Sequence, residues 1–212
     1  MAEHPAPRSS EPLSVRDGAT TENRAQVQAR VFEATERLLS EGNAYADLSV
    51  DKIAKAAGIS RTAFYFYFSD KRQLITGQAA AIAEELYAQA IDFYSGEAGS
   101  TEELEQVLGE VYDIYFKHGV LIRAVVEVST YDEEIAVFWR GLLDQFVSAT
   151  EERIVRERVV KRKEASTSDA RAMAFALTWM TERTMYQQLV QGEPIERDAV
   201  IRSLVEIFER SS

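Results

Sequence analysis

The chain has 212 residues, 46% of them hydrophobic and 28% charged, a globular balance large enough to bury its core without covalent staples. With no cysteine and only His4 and His118 as histidines, it excludes disulfide frameworks, thiol catalysis, Cys-bound zinc and any site built on a cluster of histidines. The net charge of −11 argues against nucleic acid when taken whole, but residues 1–72 carry ten Lys/Arg against ten Asp/Glu, and the whole deficit lies in residues 73–212.

Residues 1–23 hold three of the four prolines, show no apolar period and read as a disordered tail. Beyond them the period is helical nearly everywhere. Val27, Val31, Ala34 and Leu38 share one face of a first helix that ends near Gly42. Ser49 suits the cap of a short second helix, with Asp51 in its first turn and Gly58 as its stop. Ser60 caps a third, from Arg61 to about Tyr67. Ser69 and Asp70 open a long fourth helix, its buried face marked by Ile75, Ile82, Leu86 and Phe93. Further helices are expected at 101–117, about 119–129, 132–160, 168–191 and 196–210, with Gly192 and Pro194 between the last two. Strand alternation is absent. The expectation is an all-α protein of about nine helices: a tail at 1–23, a head at 24–70 and a body at 71–212. The longest strongly apolar run, Ala172–Met180, is far short of the ~18–20 residues of a membrane span, and the N-terminus has no signal-peptide core. A cytoplasmic protein without a membrane partner is expected.

Two short helices joined through Ala57-Gly58-Ile59-Ser60 are the arrangement on which the functional reading turns. The turn needs positive φ, which Gly58 supplies. Ala54 and Ala57 are small enough for close approach, and Ile59 and Phe64 fill the angle. In such a unit the second helix enters the DNA major groove with its N-terminal residues at base edges. Arg61 can bond a guanine bidentately, and Thr62 suits a thymine methyl or a polar edge. In the aromatic run that follows, Phe64 and Phe68 are the core pair at i, i+4. The hydroxyls of Tyr65 and Tyr67 suit phosphate oxygens, and Phe66 is left to cover deoxyribose. Lys71 and Arg72 oppose the dipole of the fourth helix, which a phosphate would offset; the other reading is solvated surface charge. Ser49 and Ser60, at the two helix starts, complete the candidate DNA set. Asp51–Arg72 holds five cations and two acids, a basic island before an acidic body.

The string Ser49-Val50-Asp51-x-Ile53-Ala54-x-x-Ala57-Gly58-Ile59-Ser60-Arg61-x-x-Phe64-Tyr65-x-Tyr67-Phe68-x-x-Lys71 resembles the N-terminal signature of the TetR family of bacterial transcription regulators. The resemblance covers about residues 24–75. It implies a ligand-binding helical body followed by two dimerising helices, on a scaffold of nine. A narrower resemblance, carried by the aromatic run, Met180-Thr181-Glu182-Arg183-Thr184 and Gly192-Glu193-Pro194, is to the subfamily that represses the ethionamide-activating monooxygenase. Two ligand-contacting Asn residues of that subfamily match Thr178 and Thr181 here. Threonine cannot present both an amide donor and a carbonyl acceptor, so this departure bears on which ligand fits.

The helix from Ser168 is apolar almost all round and therefore needs partners on every side. One is its own chain; a second subunit is the natural other, and a monomer with a well-packed C-terminus is the alternative. Val200, Ile201, Leu204, Ile207 and Phe208 of the last helix, with Leu189, form the expected dimer face. Aromatics concentrate in the body at Tyr87, Phe93, Tyr112, Phe116, Phe138, Trp139, Phe146, Phe175 and Trp179. Read as residues they either fill a core or line a cavity; the family resemblance implies a cavity, with Thr178, Thr181 and Glu182 as its polar groups. Glu182 and Arg183 sit inside an apolar helix and need partners, either an internal ion pair with Arg123, Arg140 or Glu127 or a ligand contact. Arg153, Arg156, Arg158, Lys161, Arg162 and Lys163 form a second basic cluster, read as a DNA contact or, better, as cations matching a helix C-terminus.

Enzyme motifs are absent: there is no Gly-x-Ser-x-Gly, no His-Glu-x-x-His and no phosphate loop. The adjacent acids Glu102-Glu103 and Glu151-Glu152 do not share a helix face and make poor catalytic dyads. The function expected is a homodimeric repressor that binds a palindromic double-stranded DNA operator without a cofactor. It is released when a small hydrophobic ligand packs against Trp139, Phe116 and Trp179 and moves the fourth helix. The alternative is a helical ligand-binding protein without DNA binding.

Overall fold

The computed structural model describes residues 14–96, 100–160, 167–192 and 195–211. Eight α-helices follow one another: α1 (Ser14–Ser40), α2 (Val50–Ala56), α3 (Arg61–Tyr67), α4 (Lys71–Ser95), α5 (Thr101–Ser129), α6 (Glu133–Val160), α7 (Thr167–Tyr186) and α8 (Arg197–Ser211). A 3-10 turn, Tyr45–Asp47, lies between α1 and α2, and a π turn, Gln187–Gln191, continues α7. Strands are absent among the described residues, as expected. No helix among them is long and apolar enough to cross a membrane.

Two boundaries differ from the expectation. Helix α1 begins at Ser14, inside the stretch read as a tail; no proline follows Pro12 until Pro194, so the backbone is free to helix without an apolar period. The rest of that tail, residues 1–13, lies outside the described residues. The helices expected at 101–117 and 119–129 run on as α5, kinked where His118 takes φ −107° and ψ 15°.

The head folds as its sequence spacing dictates. Val27, Val31, Ala34 and Leu38 of α1 are all buried, and the last three pack with Ile53, Ala54, Phe64 and Phe68. Among the described residues Gly42 and Gly58 are the two glycines at positive φ, 88° and 70°; the first turns the chain out of α1 and the second makes the turn between α2 and α3. Ser49 accepts a hydrogen bond from the Lys52 N–H at 3.2 Å and Ser60 one from the Ala63 N–H at 3.0 Å, so both short helices carry the caps their sequences promise. In the body α4, α5 and α6 pack on one another, α7 lies along α6, and α8 crosses α5. The buried faces of α4 and α5 line the space between these helices, which positions the cavity described next.

Candidate DNA interface and ligand cavity

Helix α3 presents an outward face made of Arg61, Thr62, Tyr65 and Phe66, all exposed, with Phe66 at 72%. Phe64 holds the helix down, with its ring 5.4 Å from that of Phe68. The Arg61 guanidinium lies 2.5 Å from a carboxylate oxygen of Asp51, over the Tyr65 ring at 5.6 Å and 3.4 Å from its hydroxyl. The Asp51 carboxylate raises its pKa further. Both partners are more than half exposed, so the pair is weak and can be exchanged for a base or phosphate. Tyr67 is half-buried, and the Arg24 guanidinium of α1 stands 6.0 Å from the rings of both Phe66 and Tyr67. Arg24 went unnoticed in the sequence because helical period, not ring contact, was the signal read there.

Lys71 is drawn inward. Its ammonium donates to the carbonyls of Tyr45 at 2.9 Å and Ala46 at 3.0 Å and sits 5.1 Å from the Tyr45 ring; the Tyr45 hydroxyl donates in turn to the Lys71 carbonyl at 2.5 Å. Burial lowers its pKa. Arg72, expected to be offset by phosphate or solvent, reaches the body instead, at 2.8 Å from Asp132 and 3.0 Å from Glu134. These two acids supply the charge that a cation at a helix N-terminus lacks.

In the body an apolar cavity of about 90 Å³ lies between α4, α5, α6 and α7. Phe93, Phe146, Thr178, Thr181 and Glu182 line it, as expected, and so does Phe208. Most of its wall was missed: Leu86 and Tyr94 of α4, Leu104 to Tyr115 along α5, and Leu143 and Thr150 of α6. Through Leu86, Tyr115, Leu143 and Phe146 it adjoins a smaller void of about 30 Å³ that ends at Trp139. Towards solvent it shares Phe93, Leu104, Thr150 and Phe208 with a polar mouth of about 260 Å³.

Several expected ligand residues lie elsewhere. Phe116 is 76% exposed at the kink of α5, and Phe175, 53% exposed, pairs with Trp179 at 5.9 Å on the outer side of α7. Tyr87 is on the surface against Tyr94 and Phe146, at 5.8 and 5.9 Å. Tyr112 is in the core beneath the Arg197 guanidinium, and Phe138 packs on that core without reaching the cavity. The ligand expected against Trp139, Phe116 and Trp179 together has no common pocket, because helix α5 and the outer face of α7 hold these rings on different sides. Most of the residues expected at the dimer face are covered within the single chain. Val200, Ile201 and Leu204 are buried within one chain by α5, Leu189 is half-buried, and Ile207, 42% exposed, is the one member open to solvent.

Of the second basic cluster, Arg153 and Arg156 turn inward and donate to the carbonyls of Phe93 and Tyr94 at the end of α4. They match a helix C-terminus, as the sequence favoured, although the helix is not their own. Lys161, Arg162 and Lys163 lie outside the described residues.

A capped helix-turn-helix on a helical body with an apolar cavity defines a one-component transcription regulator. Residues 31–76 match the family "Bacterial regulatory proteins, tetR family", and residues 104–211 match "Transcriptional regulator EthR, C-terminal domain". The chain is 29% identical to the HTH-type transcriptional regulator EthR of Mycolicibacterium smegmatis over 87% of its own length and 85% of that protein. It is 27% identical to EthR of Mycobacterium tuberculosis over 84% and 83%. Among solved structures it is similar in fold to the regulator FadR from Bacillus subtilis in complex with stearoyl-CoA, with a TM-score of 0.68, 18% identity and coverage of 87% of this chain and 98% of that one. The chain belongs to the TetR family of transcriptional regulators, in its EthR type, and is not an enzyme.

Proposed function

We propose that the protein is a homodimeric, cytoplasmic repressor that binds a palindromic operator and is released by a small hydrophobic ligand. Residues 24–70 act as the DNA-binding head and residues 71–212 as the ligand-binding and dimerisation body. The observation that carries this reading is the single helix α4, which begins beside the recognition unit at Lys71 and ends beside the cavity at Phe93. At 1.5 Å per residue it spans roughly 37 Å and links ligand to head spacing. Arg61 and Thr62 read bases; Tyr65, Tyr67 and Phe66 follow the backbone and sugars; Ser49 and Ser60 hold the helix starts. Lys71 acts mainly by holding the 3-10 turn in place. Ala172, Phe175, Ala176 and Trp179 on the open side of α7, with Ile207 of α8, support a two-fold interface.

The test is DNA footprinting on the region upstream of the gene, followed by titration of the protected palindrome. Two protomers per palindrome are expected, and the footprint should fade with an apolar compound that raises the melting temperature. A single protomer bound to an asymmetric site, or protection indifferent to every such compound, overturns the reading.

A further inference from the structure

One side chain in the cavity has no counterpart in an apolar pocket. Glu182 is 3% exposed, and neither carboxylate oxygen has a hydrogen-bond partner among the described residues. The nearest cation is the neighbouring Arg183, whose Nε stands 3.6 Å away, beyond hydrogen-bond range, on a half-exposed side chain that lies over the Tyr186 ring. Thr181, one position earlier, spends its hydroxyl on the Leu177 carbonyl at 2.9 Å. A buried carboxyl without a partner is costly and calls for an explanation.

The cations and rings around it favour one kind of partner. Arg153, at the mouth, is already committed to Glu157 at 2.9 Å, to the Phe93 carbonyl and to the Phe93 ring at 3.7 Å. No cationic side chain lines the apolar cavity itself, so an anionic ligand finds no counter-charge there. The rings of Phe93, Tyr94, Tyr115 and Phe146 in its wall attract a cation through their faces. Resting on the ligand-release reading above, we infer that the ligand is a small apolar amine, its nitrogen paired with Glu182 and its hydrocarbon tail lying between Tyr115 and Phe146 towards the Trp139 void. Burial raises the Glu182 pKa, and a cation paired with the carboxylate would bring it back down. Cavities of about 90 and 30 Å³ hold less than the roughly 150 Å³ site that takes up benzene, so a six-carbon tail must part their walls or extend into the adjoining mouth of about 260 Å³.

The experiment compares hexylamine, 1-hexanol and hexanoate as probes of the full-length protein, by calorimetry and by the shift in melting temperature. A charge-assisted hydrogen bond predicts that hexylamine binds about tenfold or more tightly than 1-hexanol, with hexanoate weakest. In Glu182→Gln, which keeps the shape and loses the charge, the amine's advantage should fall to about onefold while 1-hexanol binding persists. Persistence of 1-hexanol binding shows that the variant is folded around the same cavity. If hexanol binds and the amine has no advantage, or if that advantage survives Glu182→Gln, the amine assignment fails and the cavity reading stands. If none of the three binds, the cavity reading fails and takes the amine with it.

Discussion

The head and the body are built from the same kind of amphipathic helix, yet they treat their interiors in opposite ways. In the head Val31, Ile53, Phe64 and Phe68 close up on one another, both short helices are capped, and no described side chain of residues 24–70 leaves a buried polar atom unpaired. The body keeps an apolar void and leaves both oxygens of Glu182 without a hydrogen bond. A close-packed interior resists change, whereas a void with an unsatisfied group is where a ligand can add free energy. The head is thus suited to stay one shape and be moved, and the body to be reshaped.

The difference is most severely tested at the C-terminus. Deleting residues 198–212 removes Val200, Ile201, Leu204 and Val205, all buried. At about 1.5–3 kcal/mol each this exceeds or rivals the ~5–15 kcal/mol that holds a protein folded. The deletion should therefore cost the body its fold as well as any two-fold contact it makes. Circular dichroism should show no cooperative melting of the body; a truncated chain that melts as the full one does would refute this placement of α8. Next in size is Phe64→Ala in the head. Phe64 is fully buried, and its loss should lower stability by about 3–5 kcal/mol in denaturant titration. Phe64 does not line the cavity, so hexanol binding at low denaturant should persist while DNA binding fails.

Arg61→Ala sharpens the comparison at the surface. The Asp51 pair is exposed, so stability should hardly change. Operator affinity should fall by about 1–3 kcal/mol with relaxed sequence preference, read by fluorescence anisotropy on operator and random DNA. Equal losses on both would leave Arg61 with no base to read. Lys71→Ala is the contrast: its ammonium holds two carbonyls of the 3-10 turn, so its loss should lower the melting temperature and not merely the salt dependence of binding.

How much was legible in the sequence follows the same division. The recognition unit was readable because its signals are local: Ser49, Gly58 and Ser60 act within four residues of their own positions. The carbonyls that Lys71 holds were not legible, because they stand 26 and 25 residues away, at a distance no spacing rule spans. The cavity was half seen. Phe93, Phe146, Thr178, Thr181 and Glu182 were found, but Leu86, Val107, Val111 and Leu143 look the same in sequence whether they fill a core or line a void. Phe116 and Phe175 were misplaced because helical period tells which residues share a face and not what that face meets. For the same reason the stripe of Val200, Ile201 and Leu204 pointed to a partner, and the partner turned out to be α5 of the same chain.

The smallest effect lies at the joint between the two regions. His118, at the kink of α5, has Nδ1 2.6 Å from Glu36 of α1 and Nε2 3.2 Å from Glu85 of α4, while Lys117 holds Glu85 at 2.9 Å. One imidazole ring therefore ties the head helix α1 to helix α4. The hydrogen bond to Glu36, aided by the charge of both acids, raises the His118 pKa above its ordinary value, against burial and the charge of Lys117. A group whose pKa is raised by folding stabilises the fold fully below its unfolded pKa of about 6.5, and that contribution is lost as pH rises through the folded value. Stability should therefore decline by about 1 kcal/mol between pH 6 and pH 9, part of a charge-assisted contact whose acids are partly exposed. His118→Gln can keep a hydrogen bond but cannot titrate, so its melting temperature should lose that decline. Comparing the two proteins across this range isolates the joint, since every other titrating group is common to both. Parallel pH profiles for wild type and variant would show that head and body are held together by packing and by contacts such as the Gln78 amide on the Phe32 carbonyl and the Lys71 ammonium on the carbonyls of Tyr45 and Ala46.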